Sequence, residues 1–195
     1  MTQAGKTTRR SSVARALAVL GLAWLGAWPW DASAQEDAAA LERRIKAAFI
    51  FKFAGFVEWP ETAFPQPFTA VTIAVIGDDE LAAELSAITA GRAVEGRPLT
   101  IRKTRSLEAV ADAHMVFVGR AEIARLPQLA KLARARPVLI LTDAPNALAH
   151  GSMINFMLVE QRVKFEIHLE EAERHGLKLS SRLLAVAQSV RRGSP

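Results

Sequence analysis

The chain has 195 residues, half of them hydrophobic, with 25 Lys and Arg against 20 Asp and Glu and no cysteine. The missing cysteines exclude disulfide staples, thiol catalysis and thiol redox sensing, so stability must come from an apolar core. The net charge of +5 belongs partly to the first residues; beyond residue 34 there are 21 basic and 19 acidic side chains, a balance that calls for no nucleic-acid partner.

Residues 1–34 read as a leader. Lys6, Arg9, Arg10 and Arg15 precede the apolar run Ala16–Trp28, and Ala32-Ser33-Ala34 is an A-x-A cleavage signal. The run is shorter than the roughly 20 residues that span a bilayer. Together these predict a secretory signal peptide cut before Gln35. Arg9-Arg10 suggests the twin-arginine route, but Ser12 stands where that signal has an aromatic, so ordinary secretion is favoured. Residues 35–195 read as a single domain whose only tryptophan is Trp59.

Asp37–Val57 reads as a helix with Asp37 at its N-cap. Glu42, Arg43 and Lys46 share one face of its first half, and its second half is apolar almost all round. Pro60 ends it. Val71–Ile76 is a continuous apolar, β-branched run of the kind a buried parallel strand needs. A helix over Asp79–Thr89, a strand over Arg97–Thr104 and a short helix over Ser106–Ala113 capped by Ser106 follow. Then come a strand over His114–Val118, a helix over Ala121–Arg134 and a strand over Pro137–Leu141. After Gly151 the pattern changes to two alternating strands, Ser152–Val159 and Arg162–Leu169, an antiparallel hairpin whose second strand reads as a half-solvated edge. Glu170–His175 is a short helix closed by Gly176, and Ser180 caps a last helix through Val190. The predicted fold is α/β: a three-layer, mostly parallel, Rossmann-like sheet with helices on both faces and a C-terminal antiparallel hairpin.

Little in the sequence points to catalysis. The turn after the first strand, Gly77-Asp78-Asp79-Glu80, is acidic where a dinucleotide fold has glycines, and it would repel a phosphate. The four histidines have no metal-ligand spacing, and no serine sits in a nucleophile elbow. No cofactor and no metal is expected. One polar constellation remains: Lys178, Ser180 and Arg182 at the start of the last helix could hold a small anion as well as simply cap it.

The most distinctive stretch is aromatic. Six of the nine phenylalanines (Phe49, Phe51, Phe53, Phe56, Phe64 and Phe68) lie within Phe49–Phe68, beside Trp59. A helix apolar on all sides must be covered on all sides, by the rest of the domain, a second copy of the chain or another protein. Phe49, Phe53, Phe56, Glu58 and Trp59 are therefore the candidate contact residues for a partner or dimer.

These residues also carry a resemblance. KAAFIFKFAGFVEWP (Lys46–Pro60), VTIAVIG, GSMINFMLVEQRVKFEIHL (Gly151–Leu169) and GLKLSSRLLAVAQSV (Gly176–Val190) resemble the YfiR family, in order and over nearly all of residues 35–195. The resemblance implies an α/β sandwich and a periplasmic, non-enzymatic protein. It implies binding to the periplasmic sensor domain of an inner-membrane diguanylate cyclase, which the protein holds down, and sequestration by an OmpA-like outer-membrane lipoprotein. Related modules also serve as sensor domains, which keeps a small-ligand sensor as the alternative. Two departures stand out: the best-known members have disulfides and this chain has no cysteine, and Phe51 stands where relatives often have tyrosine, so a hydroxyl is lost.

Overall fold

The structure, a computed structural model, describes residues 30–193. Of the signal peptide expected over residues 1–34, residues 1–29 lie outside the described residues and the rest begin helix α1. The chain divides after Asp37, and the fold set out below is that of Ala38–Pro195.

Helix α1 runs over Trp30–Ala54. It starts earlier than expected and passes through Asp37, which is no cap. It also ends earlier, because Gly55 and Phe56 close a turn back onto the carbonyls of Lys52 and Phe53. That turn frees Val57–Glu58 to form a short strand, β1.

The central elements follow the strand–helix alternation in the sequence. They are β2 (Val71–Ile76), α2 (Asp79–Thr89), β3 (Ala93–Val94), β4 (Arg97–Lys103), β5 (Met115–Val118), α3 (Leu126–Ala133) and β6 (Leu139–Thr142). Every residue of β2, β5 and β6 is buried, as expected for strands covered on both faces. The helix expected over Ser106–Ala113 is a 3₁₀ turn, Glu108–Asp112, and Ser106 bonds the Glu108 carboxylate instead of capping it. The helix expected over Ala121–Arg134 begins as a 3₁₀ segment, Arg120–Arg125.

The C-terminal part brings the main corrections. Strands β7 (Ile154–Val159) and β8 (Arg162–His168) form the expected hairpin, followed by α4 (Leu169–Arg174). Lys178–Leu179 then forms a strand, β9, that pairs antiparallel with β1. Helix α5 spans only Ser181–Val186, and Ser189–Arg191 forms β10 instead of continuing it. Because β10 pairs in parallel with Glu166, Ile167 and His168, that end of β8 is not the half-solvated edge its alternation suggests.

The eight-stranded sheet has the order β10-β8-β7-β6-β5-β2-β4-β3 and is mostly parallel, with β7–β8 and β3–β4 antiparallel. Helix α1 runs alongside α2. Arg43 pairs with Glu80 at 2.8 Å, Arg44 with Glu84 at 3.6 Å, and the Arg92 guanidinium lies over Phe51 at 5.3 Å. The side of α1 that carries Phe51 is thus covered by a cation of the same domain.

Candidate functional site

In the second half of α1, Phe49, Phe53 and Phe56 stand four and three residues apart, which places them on one helix face. That face meets the hairpin. The Phe53 ring lies 5.0 Å from Phe165 edge-on and 5.8 Å from Phe156 stacked. Phe49 stands 5.4 Å from Phe165 and 5.9 Å from Phe53. Such pairs contribute about 0.5–1.5 kcal/mol each beyond the area they bury. The cluster is not closed. Between α1, the start of β8 and α5 lies an open groove of about 610 Å³, walled by Phe49, Phe53, Phe56, Phe165, Leu183 and Val186. Lys52, Lys164 and Arg182 also line it, and no Asp or Glu does.

The two candidate sets read from the sequence converge here in part. Phe53 is 1% exposed and forms the floor, while Phe49 and Phe56 are half-buried. Arg182 lines the same groove from α5. Ser180 is occupied in holding the backbone: its hydroxyl accepts from the Leu183 N–H at 3.3 Å, and its own N–H donates to the Phe56 carbonyl at 2.9 Å. Lys178 is exposed on β9 opposite Glu58 on β1. Lys178, Ser180 and Arg182 therefore point to three different tasks.

Trp59 lies apart from the groove. Its ring is edge-on to Phe64 at 6.1 Å and to His114 at 6.4 Å, and its indole N–H is buried with no partner among the described residues. Phe64 stacks on His114 at 4.6 Å, beneath the Arg97 guanidinium at 4.0 Å. His114 Nδ1 accepts from the Thr72 N–H at 3.1 Å, so Nε2 carries the proton and donates to the Ala63 carbonyl at 3.1 Å. Burial pushes the His114 pKa down and the charge of Arg97 adds to this, against the opposing pull of the Ala63 carbonyl.

The strand order reverses at β2, which has β4 on one side and β5 on the other. In open α/β sheets ligands bind outside the C-terminal strand ends at such a point. Here that place is filled. The Gly119 N–H donates to the Ile76 carbonyl at 2.7 Å, and a β-carbon on Gly119 would meet the Gly77 oxygen at 2.7 Å, so only glycine lets the two strand ends approach. Asp78 caps α2, accepting from the Leu81 N–H at 2.9 Å. Lys46 of α1 sits alongside, buried, with its ammonium 2.7 Å from Asp143 and 2.6 Å from Glu42. Burial alone would depress this lysine, but the two carboxylates outweigh it and its pKa is raised. Asp78 is also raised, by burial first, against its Leu81 bond, with the nearby Asp143 charge adding. Beneath them Asn155 Oδ1 accepts from the Thr142 hydroxyl at 2.7 Å and from the Ala144 N–H at 3.1 Å.

The YfiR/HmsC-like family pattern matches residues 43–188, which includes the groove, the filled crevice and the Trp59 cluster. The chain belongs to that family. YfiR-like proteins are, as a family, periplasmic regulators of diguanylate cyclase signalling. Among the described residues no helix is long and apolar enough to cross a membrane. Among solved structures, a conserved domain protein from Vibrio cholerae O1 biovar El Tor is similar at 12% identity, covering 62% of this chain and 55% of that one, with a TM-score of 0.47. An ABC domain in complex with L-Trp from Streptococcus pneumonia is similar at 12% identity over the same shares, with a TM-score of 0.46. The chain spans about half the length of these solved chains. No curated protein matches it.

Sequence reasoning missed several residues of the groove and of the filled crevice. Lys52 and Lys164 line the groove, and Lys52 was legible as the one cation in the run Ala47–Val57. Lys46 looked like part of a solvated charged face with Glu42 and Arg43, yet it is buried. Its partner Asp143 lies 97 positions away, a separation no local pattern reveals.

Proposed function

We propose that this YfiR-like chain is a non-enzymatic periplasmic regulator that binds and represses the sensor domain of an inner-membrane signalling protein, a diguanylate cyclase. It thereby sets cyclic-di-GMP control of biofilm and motility. Export follows cleavage before Gln35; the ion pairs that α1 makes begin at Glu42, so removal of residues 1–34 leaves them intact. The observation that carries the reading is the apolar groove itself: half-buried Phe49 and Phe56 over a Phe53 floor, with cations at its lips. Aromatic anchors in a partly open pocket are what protein interfaces use. Repression then follows from binding the inactive state of the partner more tightly than the active one. An OmpA-like outer-membrane lipoprotein is the proposed competitor for the chain, and a second copy of the chain is the other candidate partner.

The test is a calorimetric titration of Gln35–Pro195 with the periplasmic domain of a membrane cyclase from the same cell, alongside Phe56→Glu. Micromolar or tighter binding that Phe56→Glu abolishes, with loss of repression in the cell, is expected. Normal repression by a folded, exported Phe56→Glu variant overturns the reading. Trp59 emission should change little, because Trp59 packs on Phe64 and His114 and not in the groove.

The groove also favours a second reading, a small-ligand sensor module. Its size falls within the range of small-molecule sites, about 300–1,000 Å³, and Arg182 supplies a cation for an anionic group. A ligand-induced rise in melting temperature that Arg182→Ala removes would favour this reading.

A further inference from the structure

Several cations elsewhere on this chain are paired with carboxylates. Arg43 holds Glu80, Arg44 holds Glu84, Lys103 holds Asp79, and Arg174 holds Glu170 and Glu171. The cations of the groove are not so paired. Lys52 on α1, Lys164 on β8 and Arg182 on α5 come from its three sides. Among the described residues none of the three side chains makes an ion pair or hydrogen bond, and no carboxylate lines the groove. Between them the surface is almost wholly apolar, and Val186 at the α5 lip is 63% exposed.

Three cations held around one apolar channel repel one another in the free protein, weakly because Lys52 and Arg182 are exposed. An occupant with carboxylates at the same positions relieves that repulsion and gains charge-assisted contacts at the rim while apolar groups bury in the centre. We propose that the groove takes an acidic amphipathic segment of a partner protein: apolar anchors at helical spacing, flanked by Asp or Glu that meet Lys52, Lys164 and Arg182. The segment lays its apolar face on Phe49, Phe53, Phe56 and Val186 in the helix-in-groove manner. This rests on the groove being the partner site, and it assigns that partner's chemistry.

The experiment uses the exported protein purified from the periplasm and three labelled synthetic peptides. The first is amphipathic, with Leu and Phe at i, i+3, i+4 and i+7 and Glu on both flanks. The second replaces each Glu with Lys, and the third is the acidic peptide with its apolar positions made Ser. Fluorescence anisotropy is expected to show binding of the acidic peptide alone, weakening steeply with salt. The double variant Lys52→Glu/Arg182→Glu should lose about tenfold or more in affinity for it and gain affinity for the Lys peptide, with its melting temperature unchanged because both side chains are exposed. Equal binding of the acidic and Lys peptides, no binding of either, or an unchanged affinity in the double variant overturns the proposal. Binding of sodium decanoate with no peptide bound also overturns it, in favour of a small amphiphile. Since no cyclase domain takes part, failure here leaves the regulator reading to its own titration. Failure of that titration with the peptide result intact removes the cyclase and keeps the groove's chemistry.

Discussion

Two charged regions of this molecule obey opposite rules. At the C-terminal ends of β2, β5 and β6 the charges are at least half-buried and matched: Lys46 lies between Glu42 and Asp143, and Asp78 caps α2. At the groove the cations are unmatched and the surface between them is apolar. The first is the place where open α/β sheets bind ligands, and here α1 has plugged it with a lysine. The second lies along another face of the same helix. Helix α1 therefore closes the crevice that comes with the fold and lines a second one.

The comparison can be broken at its floor first. Phe53→Ala should destabilise the protein by about 3–5 kcal/mol, because a fully buried ring leaves a cavity. Phe56→Ala, at a half-buried position, should cost only about 1 kcal/mol. Urea denaturation of the pair separates core from surface, and equal losses would mean that the groove is closed in solution. Phe53 substitutions therefore speak to folding, and Phe56 substitutions to binding.

The plug comes next. Lys46→Met removes one partner of a buried pair and leaves Asp143, whose Oδ1 already lacks a partner among the described residues, without its cation. The expected loss is about 3 kcal/mol, at the low end for such pairs because Glu42 is 26% exposed. A loss below about 1 kcal/mol would show the crevice to be wet.

The smallest effect is the pH response at His114, the histidine under Phe64. The folded protein holds that proton less well than the unfolded chain. Unfolding therefore takes up a proton below the ordinary histidine value of about 6.5. Stability is full above that value and falls as pH drops toward the depressed folded pKa. Among its neighbours, Arg97 pushes the same way. Asp78 acts in the opposite sense at lower pH: its pKa is raised, so the penalty of its charge fades as pH falls through the raised value. Thermal melts from pH 8 to pH 5 should show the decline, and His114→Gln should flatten it.

The central sheet was legible because β2, β5 and β6 are buried on both faces and so spell themselves as apolar runs. Helix α2 was legible from its acidic N-terminus and apolar spacing. Strands β1, β9 and β10 were not, since two or three residues are too few for a period to appear and their pairing partners are remote. Val57 looked like the end of a helix until Leu179 is placed opposite it. The aromatic face of α1 was visible as apolar excess. That Phe53 is floor, Phe51 is covered by Arg92 and Trp59 belongs to another cluster depends on where the hairpin and the loop after Pro60 fold back. Arg182 was singled out for its neighbours Lys178 and Ser180, and the structure places it with the phenylalanines instead.

The two walls of the groove come from opposite ends of the polypeptide, α1 near its start and α5 near its finish, and the β1–β9 ribbon joins them. A chain made N-terminus first holds its phenylalanines long before Arg182 and Val186 arrive to wall them in. Until then that aromatic face has no α5 beside it. The α5 wall is thus among the last parts of the groove to be made, and loss of residues 184–195 would remove Val186 and β10 while leaving β2, β5 and β6 in place.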